Sequence, residues 1–246
     1  MNKKYKYIIY ILILILITIY LLFKLNIKET FINMNNDAYI INLDERNDRL
    51  QKIHTKFSSY LTLHRVSAIK HNDGAKGCAL SHISIIKMAK EKNLPTVLVL
   101  EDDCVPTESF NLWPQTKQWL DNNRDKWDLY VGGNSYYAWN NTNTIEPLCK
   151  LDSIKFYRTK AQAFHFCYWN SSAYDSYLEL ENELDNGSIA DLWANNKNLR
   201  IISSTPFIAV QSKDYSNIEN RDIDYSIYFS SSEKKIDSVT NNITCN

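Results

Sequence analysis

The chain opens on a long apolar segment and then alternates short apolar runs with amphipathic ones. Residues 7–23 carry no charge and consist mostly of Ile and Leu. A helix over this segment, at about 1.5 Å per residue, is roughly 26 Å long. That length is near the hydrocarbon thickness of an ER-like bilayer, about 27 Å. The pattern therefore predicts a single transmembrane helix ahead of the rest of the chain.

The residues that flank this segment indicate its orientation in the membrane and whether it is cleaved. Lys3, Lys4 and Lys6 precede the run, and together with the α-amine they weakly favour a cytosolic amino terminus. A cleaved signal peptide is the alternative, but no small-x-small cleavage site follows the run. We therefore expect an uncleaved signal-anchor with the later residues lumenal or extracytoplasmic. In a viral protein the membrane would be that of the host or of the virion.

Beyond the anchor, the hydrophobic pattern alternates between strand and helix. Short apolar or β-branched runs predict strands, and apolar residues three and four apart predict helices. The predicted strands cover residues 38–43, 63–69, 96–100, 127–131, 161–169, 200–203 and 207–210. The predicted helices cover residues 50–60, 77–92 and 173–184, the first capped from among Asp44, Asn47 and Asp48. Such alternation is typical of an α/β fold with a sheet that is mostly parallel at its start.

These elements divide the chain into five parts. We expect a single catalytic domain because the region after the anchor has the length of one α/β domain. From Tyr228 the chain becomes polar and rich in Ser and Asn, which favours disorder. The expected parts are a cytosolic tail over 1–6, the anchor over 7–23, a stem over 24–36, the domain over 37–228 and a disordered tail over 229–246.

Composition excludes several functional classes. Lys plus Arg and Asp plus Glu number 28 each, so bulk charge gives no reason to expect nucleic-acid binding. The five glycines form no Walker A loop, G-x-G-x-x-G turn or G-x-S-x-G elbow. The five cysteines form no C-x-x-C pair, which argues against a zinc ribbon, although one or two disulfides remain possible.

The most distinctive chemical signal follows the strongest predicted strand. Glu101, Asp102 and Asp103 come directly after an uncharged β-branched run. If the backbone stays extended, Glu101 and Asp103 point to the same side. Paired carboxylates suit a hard divalent cation that also binds phosphate oxygens. The three acids are therefore candidate metal ligands, with a solvated acidic turn as the alternative.

Two further segments place polar groups where a ligand would bind in such a sheet. Asn42 ends the first strand, and Arg46 and Arg49 share a face of the following helical turn, where they can receive a diphosphate. The alternative is a surface arginine pair that meets nearby acids. Ser81 and His82 lie near the predicted start of the next helix, whose N–H groups favour an anion. An ordinary helix start with an exposed His is the alternative there.

In this order and spacing, the three segments resemble glycosyltransferase family 25, the lipooligosaccharide and procollagen-type galactosyltransferases. The resemblance rests on "YIINLDERNDRL", "GCALSHISI" and "VLVLEDD", and more loosely on "WDLYVGG", "SIADLWANN" and "TPFIAVQSKDYSNIENR". It extends over residues 38–221.

The resemblance implies a GT-A-type, Rossmann-like mixed sheet flanked by helices, and transfer of galactose or glucose from a UDP-hexose with Mn²⁺ and inversion. It implies that Glu101-x-Asp103 is the metal and diphosphate motif. Asn42, Arg46 and Arg49 would lie at the nucleotide, and Ser81 and His82 beside the donor. The acceptor would be a hydroxyl of a glycan, a lipid-linked sugar or a protein.

Inversion by direct displacement needs one general base. Asp191 is the candidate, with a helix cap after Gly187-Ser188 as the alternative. Tyr168, Trp169 and Trp193 are candidates for stacking on sugars, with core packing as their alternative. Two other functions stay open at this point, a metal-dependent phosphohydrolase that uses the acids with His82, and an inactive glycosyltransferase-like binding protein.

Overall fold

The computed structural model describes residues 12–20, 36–186, 189–216 and 221–245. Residues 12–20 form a helix, α1, with exposed side chains. Within the described ranges, no helix combines the length and apolar character that a bilayer crossing requires. The predicted anchor over 7–23 lies in part outside the described residues. The predicted tail over 1–6 and nearly all of the predicted stem lie outside them.

The rest of the chain folds around an eight-stranded mixed sheet. The strand order is β2-β1-β3-β8-β5-β9-β7-β6, and two small ribbons pair β10 with β4 and β11 with β12. The strands are β1 (Asp37–Asn42), β2 (Thr62–Ser67), β3 (Thr96–Glu101), β4 (Cys104–Pro106), β5 (Leu129–Val131), β6 (Glu146–Leu151), β7 (Ile154–Arg158), β8 (Phe166–Asn170), β9 (Ile201–Thr205), β10 (Ala209–Gln211), β11 (Asp214–Ser216) and β12 (Arg221–Ile223). The remaining helices are α2 (Asn47–Phe57), α3 (Gly74–Glu91), α4 (Trp113–Asn122), α5 (Tyr174–Leu178), α6 (Ala190–Asn196) and α7 (Ser226–Asp237).

The direction of the strands changes in the middle of the sheet. β1 pairs in parallel with both β2 and β3, as the alternating pattern predicts. β8 then runs antiparallel between β3 and β5, and β7 and β6 extend the other side antiparallel. The expectation of a mixed α/β sheet flanked by helices is confirmed.

Alternation along the central strands divides the core into two layers. Leu98 and Leu100 pack toward α2 and α4, whereas Val97 and Val99 pack toward α3 and α5. Successive side chains of a strand point to opposite faces, so an uncharged run such as β3 is buried on both sides. The sheet is therefore the middle layer of a three-layer sandwich.

The polar end of the chain is ordered, contrary to the expectation for residues 229–246. α7 buries Phe229, Ser232 and Ile236 against a third apolar cluster that includes Tyr137 and Phe207. A disulfide joins Cys149 of β6 to Cys245. Few apolar residues suffice here because the helix gains its stability from packing on the domain. The prediction of a disordered tail is wrong, and the folded domain extends to residue 245.

Two helix starts differ from their predictions. α2 begins after Arg46 with no side-chain cap, so none of Asp44, Asn47 and Asp48 caps it. α3 begins at Gly74, where the Asp73 carboxylate accepts hydrogen bonds from the N–H groups of Ala75 and Lys76. The sequence pattern placed this start near Gly77, about one turn too late, because the first turn contains no large apolar residue.

Candidate functional site

The predicted site residues meet at one edge of the sheet because β1 and β3 are parallel. Ile41 pairs with Glu101 in the register of the two strands. Asn42 therefore lies beside the acidic triplet, at the carboxyl ends of both strands. The Asn42 side-chain amide donates a hydrogen bond to Asp102 Oδ2 at 2.8 Å. This juxtaposition of the first and third predicted segments is the basis of the site.

Asp102 is held in a buried ion pair. Arg49 Nη1 donates to Asp102 Oδ1 at 2.8 Å, and the two side chains are only 8% and 10% exposed. Burial raises the pKa of Asp102, although Arg49 and Asn42 oppose this effect. Arg49 Nη2 also donates to the carbonyl of Tyr215 at 2.6 Å. The partners of Asp102 and Arg49 are thus protein groups, and the pair positions the neighbouring acids.

Arg46 lies on the outer side of this pair. Its guanidinium forms a salt bridge with Asp48 at 3.0 Å and approaches Asp214 at 3.7 Å. Asp214 also lies 3.8 Å from Arg49 Nε, so the two arginines share an acid. The contact between Arg46 and Asp48 is the one expected from the alternative of a surface arginine pair.

The sequence pattern gave no indication of Arg65, which completes the network at the end of β2. Its Nε donates to Asn42 Oδ1 at 3.0 Å, and its guanidinium also contacts Asp44. Asn42 is thereby held between a donor and an acceptor. The register of β1 and β2, which pairs Ile40 with Arg65, brings these residues together. That register is a tertiary property and leaves no local sequence signal.

Glu101 turns toward α3, away from the Arg49–Asp102 pair. Its Oε1 lies 3.1 Å from His82 Nε2 and accepts from the Cys78 thiol at 3.4 Å. Burial favours the neutral acid, but the hydrogen bond and charge of His82, together with His165 and Cys78, lower the pKa of Glu101. Burial and the Glu101 charge raise the pKa of the Cys78 thiol well above its usual range. One ligand atom from each of these three residues lies within 4.8 Å of the others.

Asp103 is the acid with an unsatisfied oxygen. Its Oδ1 is buried without a hydrogen-bond partner within the described parts of the chain. Burial and the negative charge of Glu101 raise the pKa of Asp103 to about 8. Arg49 Nη1 is 3.7 Å away, too far for a hydrogen bond. A buried carboxylate oxygen without a partner is a suitable ligand for a divalent cation.

Ser81 and His82 lie inside α3 and not at its start. Both side chains are fully buried. The Ser81 hydroxyl donates to the Gly77 carbonyl at 2.7 Å and accepts from the Ile69 N–H at 2.8 Å. Ser81 therefore fixes the segment after β2 against α3. Neither residue belongs to the helix amino end, so the expectation of anion binding by a helix start at Ser81 and His82 is wrong.

A cavity of about 270 Å³ lies in front of the acids. All three acids line it, together with Arg49, Cys78 and Ser81. Asn42, Arg46 and His82 do not line it, but Asn42 contacts Asp102 and His82 contacts Glu101, which do. The described residues around this cavity all fall between positions 41 and 103. Its polar wall of carboxylates suits a ligand that carries a cation and phosphate oxygens.

A second cavity, of about 200 Å³, shares part of this wall. Glu101 and Cys78 line both cavities. Asp191 lines the second one, where its carboxylate accepts hydrogen bonds from Ala163 N–H at 3.2 Å and Leu192 N–H at 2.8 Å. Burial raises the pKa of Asp191, and the Glu101 charge adds to this effect. The N-cap of α6 is Ile189, so Asp191 is not the helix cap that the alternative proposed.

The residues present fit a divalent cation, and Glu101 is common to two donor sets. Carboxylate oxygens of Glu101 and Asp103 suit Mn²⁺ or Mg²⁺, and the unsatisfied oxygen of Asp103 supports this set. Cys78, His82 and Glu101 instead form a softer set of the type that suits Zn²⁺. Asp102 is committed to Arg49, so the expectation that all three acids bind the metal is reduced to Glu101 and Asp103.

The aromatic residues nominated for sugar stacking belong to the core. Tyr168, Trp169 and Trp193 are at most 3% exposed. Trp169 packs on Tyr177, and Tyr168 packs on Trp127. Their packing alternative is therefore the correct one. An aromatic residue that sequence reasoning missed, Trp139, lines the second cavity.

The fold and site define an α/β domain with two adjoining ligand cavities at the carboxyl ends of its central strands. Residues 72–177 match the model of glycosyltransferase family 25, described as an LPS biosynthesis protein. This match covers fewer than half of the residues of the chain, and it supports the resemblance drawn from the sequence and a transferase activity. The matched region contains the "GCALSHISI", "VLVLEDD" and "WDLYVGG" segments, whereas the "YIINLDERNDRL" segment precedes it.

Other comparisons add little. A search of curated proteins gives no match. Among solved structures, the chain is similar to a glycosyltransferase involved in the glycosylation of the major capsid of PBCV-1, with 11% identity over 68% of this chain and 80% of that chain, at a TM-score of 0.45. It is also similar to mannose-1-phosphate geranyltransferase from Thermus thermophilus, with 10% identity over 69% of this chain and 73% of that chain, at a TM-score of 0.37. At these values we draw no functional argument from them.

Proposed function

We propose that the protein is a membrane-anchored, GT-A-type glycosyltransferase that moves galactose or glucose from a UDP-hexose to an acceptor hydroxyl, with inversion. One observation carries this proposal. The cavity with the unsatisfied Asp103 carboxylate and the cavity with the Asp191 carboxylate adjoin through Glu101 and Cys78. A donor and an acceptor can therefore meet over a common wall.

The first cavity is the proposed donor site. Glu101 and Asp103 would hold Mn²⁺, which neutralises charge on the departing diphosphate when it is bound. Arg49 holds Asp102 aside and lies 3.7 Å from Asp103, so it fixes the position of the acidic segment. Asn42 links this segment to β1, and Arg46 contributes through Asp214. Ser81 supports the wall of the cavity from α3.

The second cavity is the proposed acceptor site, and Asp191 is the proposed base. A base must accept the proton of the acceptor hydroxyl, which a carboxylate with a raised pKa does more readily. The two backbone N–H donors hold the Asp191 carboxylate in one orientation. The acceptor hydroxyl belongs to a glycan, a lipid-linked sugar or a protein side chain.

The proposed location is a single-pass membrane protein with its amino terminus cytosolic and its domain lumenal or extracytoplasmic. In a viral setting the membrane is that of the host or the virion. The charge-free run over 7–23 and its flanking lysines support the anchor. The Cys149–Cys245 disulfide supports an oxidising compartment for the domain. Protease protection of the domain in sealed membranes, lost on detergent addition, is the expected test result.

The activity test uses the full-length chain in detergent, with UDP-galactose and UDP-glucose. We expect release of UDP from at least one donor in the presence of Mn²⁺ and its loss with EDTA. Asp103→Asn should reduce the rate by two orders of magnitude or more, on the order of other losses of transition-state charge stabilisation. Asp48→Asn, which changes an exposed acid outside both cavities, is the matched control.

Each contrary result has a definite meaning. Wild-type protein that binds a UDP-hexose in calorimetry without turnover would be a binding protein that retains the fold. Equal UDP release by Asp103→Asn and wild type would refute the metal assignment. The phosphohydrolase alternative requires phosphate release from a simple ester, and the match of residues 72–177 to a glycosyltransferase family model argues against it.

A further inference from the structure

Trp139 is an exposed tryptophan at the second cavity. Its side chain is 59% exposed, whereas Trp113, Trp119, Trp127, Trp169 and Trp193 are buried. Trp139 lines the second cavity together with Asp191 and Tyr225. Because the exposed indole lines a cavity, it offers a large apolar face with a polar N–H edge to a ligand in that cavity.

The orientation of this indole is fixed by the carboxyl-terminal helix. The rings of Trp139 and Tyr228 of α7 lie 4.5 Å apart between centroids, at an interplanar angle of 39°. Lys235 of α7 donates to the carbonyls of Ala138 at 3.2 Å and Asn140 at 3.3 Å. The residues on both sides of Trp139 are therefore held by one helix. A preorganised side chain loses little entropy when a ligand binds, which favours affinity.

The rest of the cavity wall combines apolar side chains, such as Phe164 and Ile189, with polar ones. Ser135, Gln162 and Gln211 line it with Asp191, and they offer a hydroxyl, two amides and a carboxylate. A pyranose ring presents an apolar face of C–H groups and a periphery of hydroxyls. An aromatic plane with hydrogen-bonding groups around it is complementary to that shape. A lipid tail would leave these polar groups without partners, which is costly.

We propose that Trp139, supported by Tyr228, is the platform on which the sugar ring of a carbohydrate acceptor stacks. This inference rests on the proposed function and narrows its acceptor to a glycan or a glycan-bearing lipid. It assigns the specificity for that acceptor to residues of the loop before β6 and of α7. Asp191, in the same cavity, then faces a hydroxyl of the stacked sugar.

The test is direct binding of simple glycosides, which does not depend on turnover. The probes are methyl β-D-galactopyranoside, methyl β-D-glucopyranoside and methyl α-D-mannopyranoside, observed by saturation-transfer NMR on the full-length protein in detergent. The protein is produced without N-glycans because the sequon at Asn140 adjoins Trp139. We expect saturation of the ring C–H protons of at least one glycoside.

Three variants make the test specific. Trp139→Ala should weaken the glycoside about tenfold, a factor that corresponds to about 1.4 kcal/mol. Trp139→Phe should retain most of the affinity because it keeps an aromatic face. Ile227→Ala is the matched control. Ile227 is 65% exposed on α7, the helix that carries Tyr228, and it lies outside this cavity.

The outcomes separate this inference from the proposed function. Equal glycoside binding by Trp139→Ala and wild type, or no glycoside binding by wild type, would overturn the platform. Binding of a hydroxylysine peptide in place of every glycoside would also overturn it. UDP release by wild-type protein from donor alone is measured separately. If wild type binds a glycoside through Trp139 but releases no UDP, the platform stands and the proposed function fails.

Discussion

Arg49 and Asp102 form a buried ion pair, which leaves Glu101 and Asp103 as the candidate metal ligands among three consecutive acids. The Nη1–Oδ1 distance is 2.8 Å, and both side chains are nearly inaccessible. Three acids in sequence therefore have three different environments. Glu101 faces His82, Asp102 faces Arg49, and Asp103 keeps an oxygen without a partner in the described structure.

The two members of the pair should contribute unequally to stability. Arg49→Met removes the guanidinium nearest to Asp102 and Asp103, and should destabilise the protein by about 3 kcal/mol or more. Asp102→Asn should cost less because Arg49 retains the Tyr215 carbonyl and Asp214. Urea unfolding at neutral pH measures both changes.

Arg46→Met is the control for this comparison. Its partner Asp48 is 52% exposed, and an exposed pair contributes about 1 kcal/mol or less. A loss for Arg46→Met as large as that for Arg49→Met would contradict the assignment of Arg49 as the central cation.

The pH dependence of transfer should reflect Asp191. A base acts when ionised, so the rate falls as pH falls through its pKa. Burial raises that pKa, which moves the acid limb above the usual value of an aspartate, about 3.9. The acid limb of kcat in the wild type should therefore lie above the pH expected for an unperturbed aspartate. A limb at or below pH 4 would argue against Asp191 as the base.

Asp191→Asn should lower transfer by two to four orders of magnitude while UDP-hexose binding stays intact, since general-base catalysis contributes on the order of 10²–10⁴. Glu183→Gln is a matched control because Glu183 is paired with Lys197 and lies outside the cavity. Comparable losses in both variants would indicate a general structural effect.

Reduction should destabilise the carboxyl-terminal region. The Cys149–Cys245 disulfide closes a sequence separation of 96 residues. In the chain-entropy account, a loop of this length contributes about 4.7 kcal/mol to stability. We expect a lower thermal midpoint in reductant for the wild type. The double variant Cys149→Ser/Cys245→Ser should melt at one temperature with or without reductant, and an unchanged wild-type midpoint would contradict the bridge.

Ala163 carries backbone strain next to Asp191. Its φ is 76°, a left-handed value that an L-residue with a Cβ adopts at a cost of about 1 kcal/mol, and its N–H donates to Asp191. Ala163→Gly should leave stability unchanged or raise it by up to about 1 kcal/mol in chemical unfolding. Ala161→Gly, at a buried neighbour without this conformation, should destabilise. Destabilisation of the same size in both variants would refute the strain.

Local patterns predicted the parts of the fold that depend on local physics. The uncharged run before Glu101 predicted β3, and parallel pairing with β1 brought Asn42 to the acids. The environment of each acid could not be predicted in this way. It depends on which side chains of α2 and α3 contact the residues at the end of β3. The sequence alone does not give the packing of these helices against the strand.

The wrong prediction of a disordered tail and the failure to identify Trp139 have a similar cause. Composition predicts disorder for a Ser-rich segment, but Phe229 and Ile236 find a preformed apolar surface on the domain. Trp139 was missed because it lies in a polar loop with no periodic pattern. Its significance appears only when α7 is in place beside it.

The two cavities draw on different stretches of the chain. Described residues around the first lie between 41 and 103, whereas those around the second extend to Tyr225. In the proposed enzyme, recognition of the nucleotide sugar is thus encoded early and recognition of its recipient late, with Glu101 and Cys78 as the shared boundary. Substitutions in the later stretch can therefore change the acceptor while the residues that recognise the nucleotide sugar stay the same.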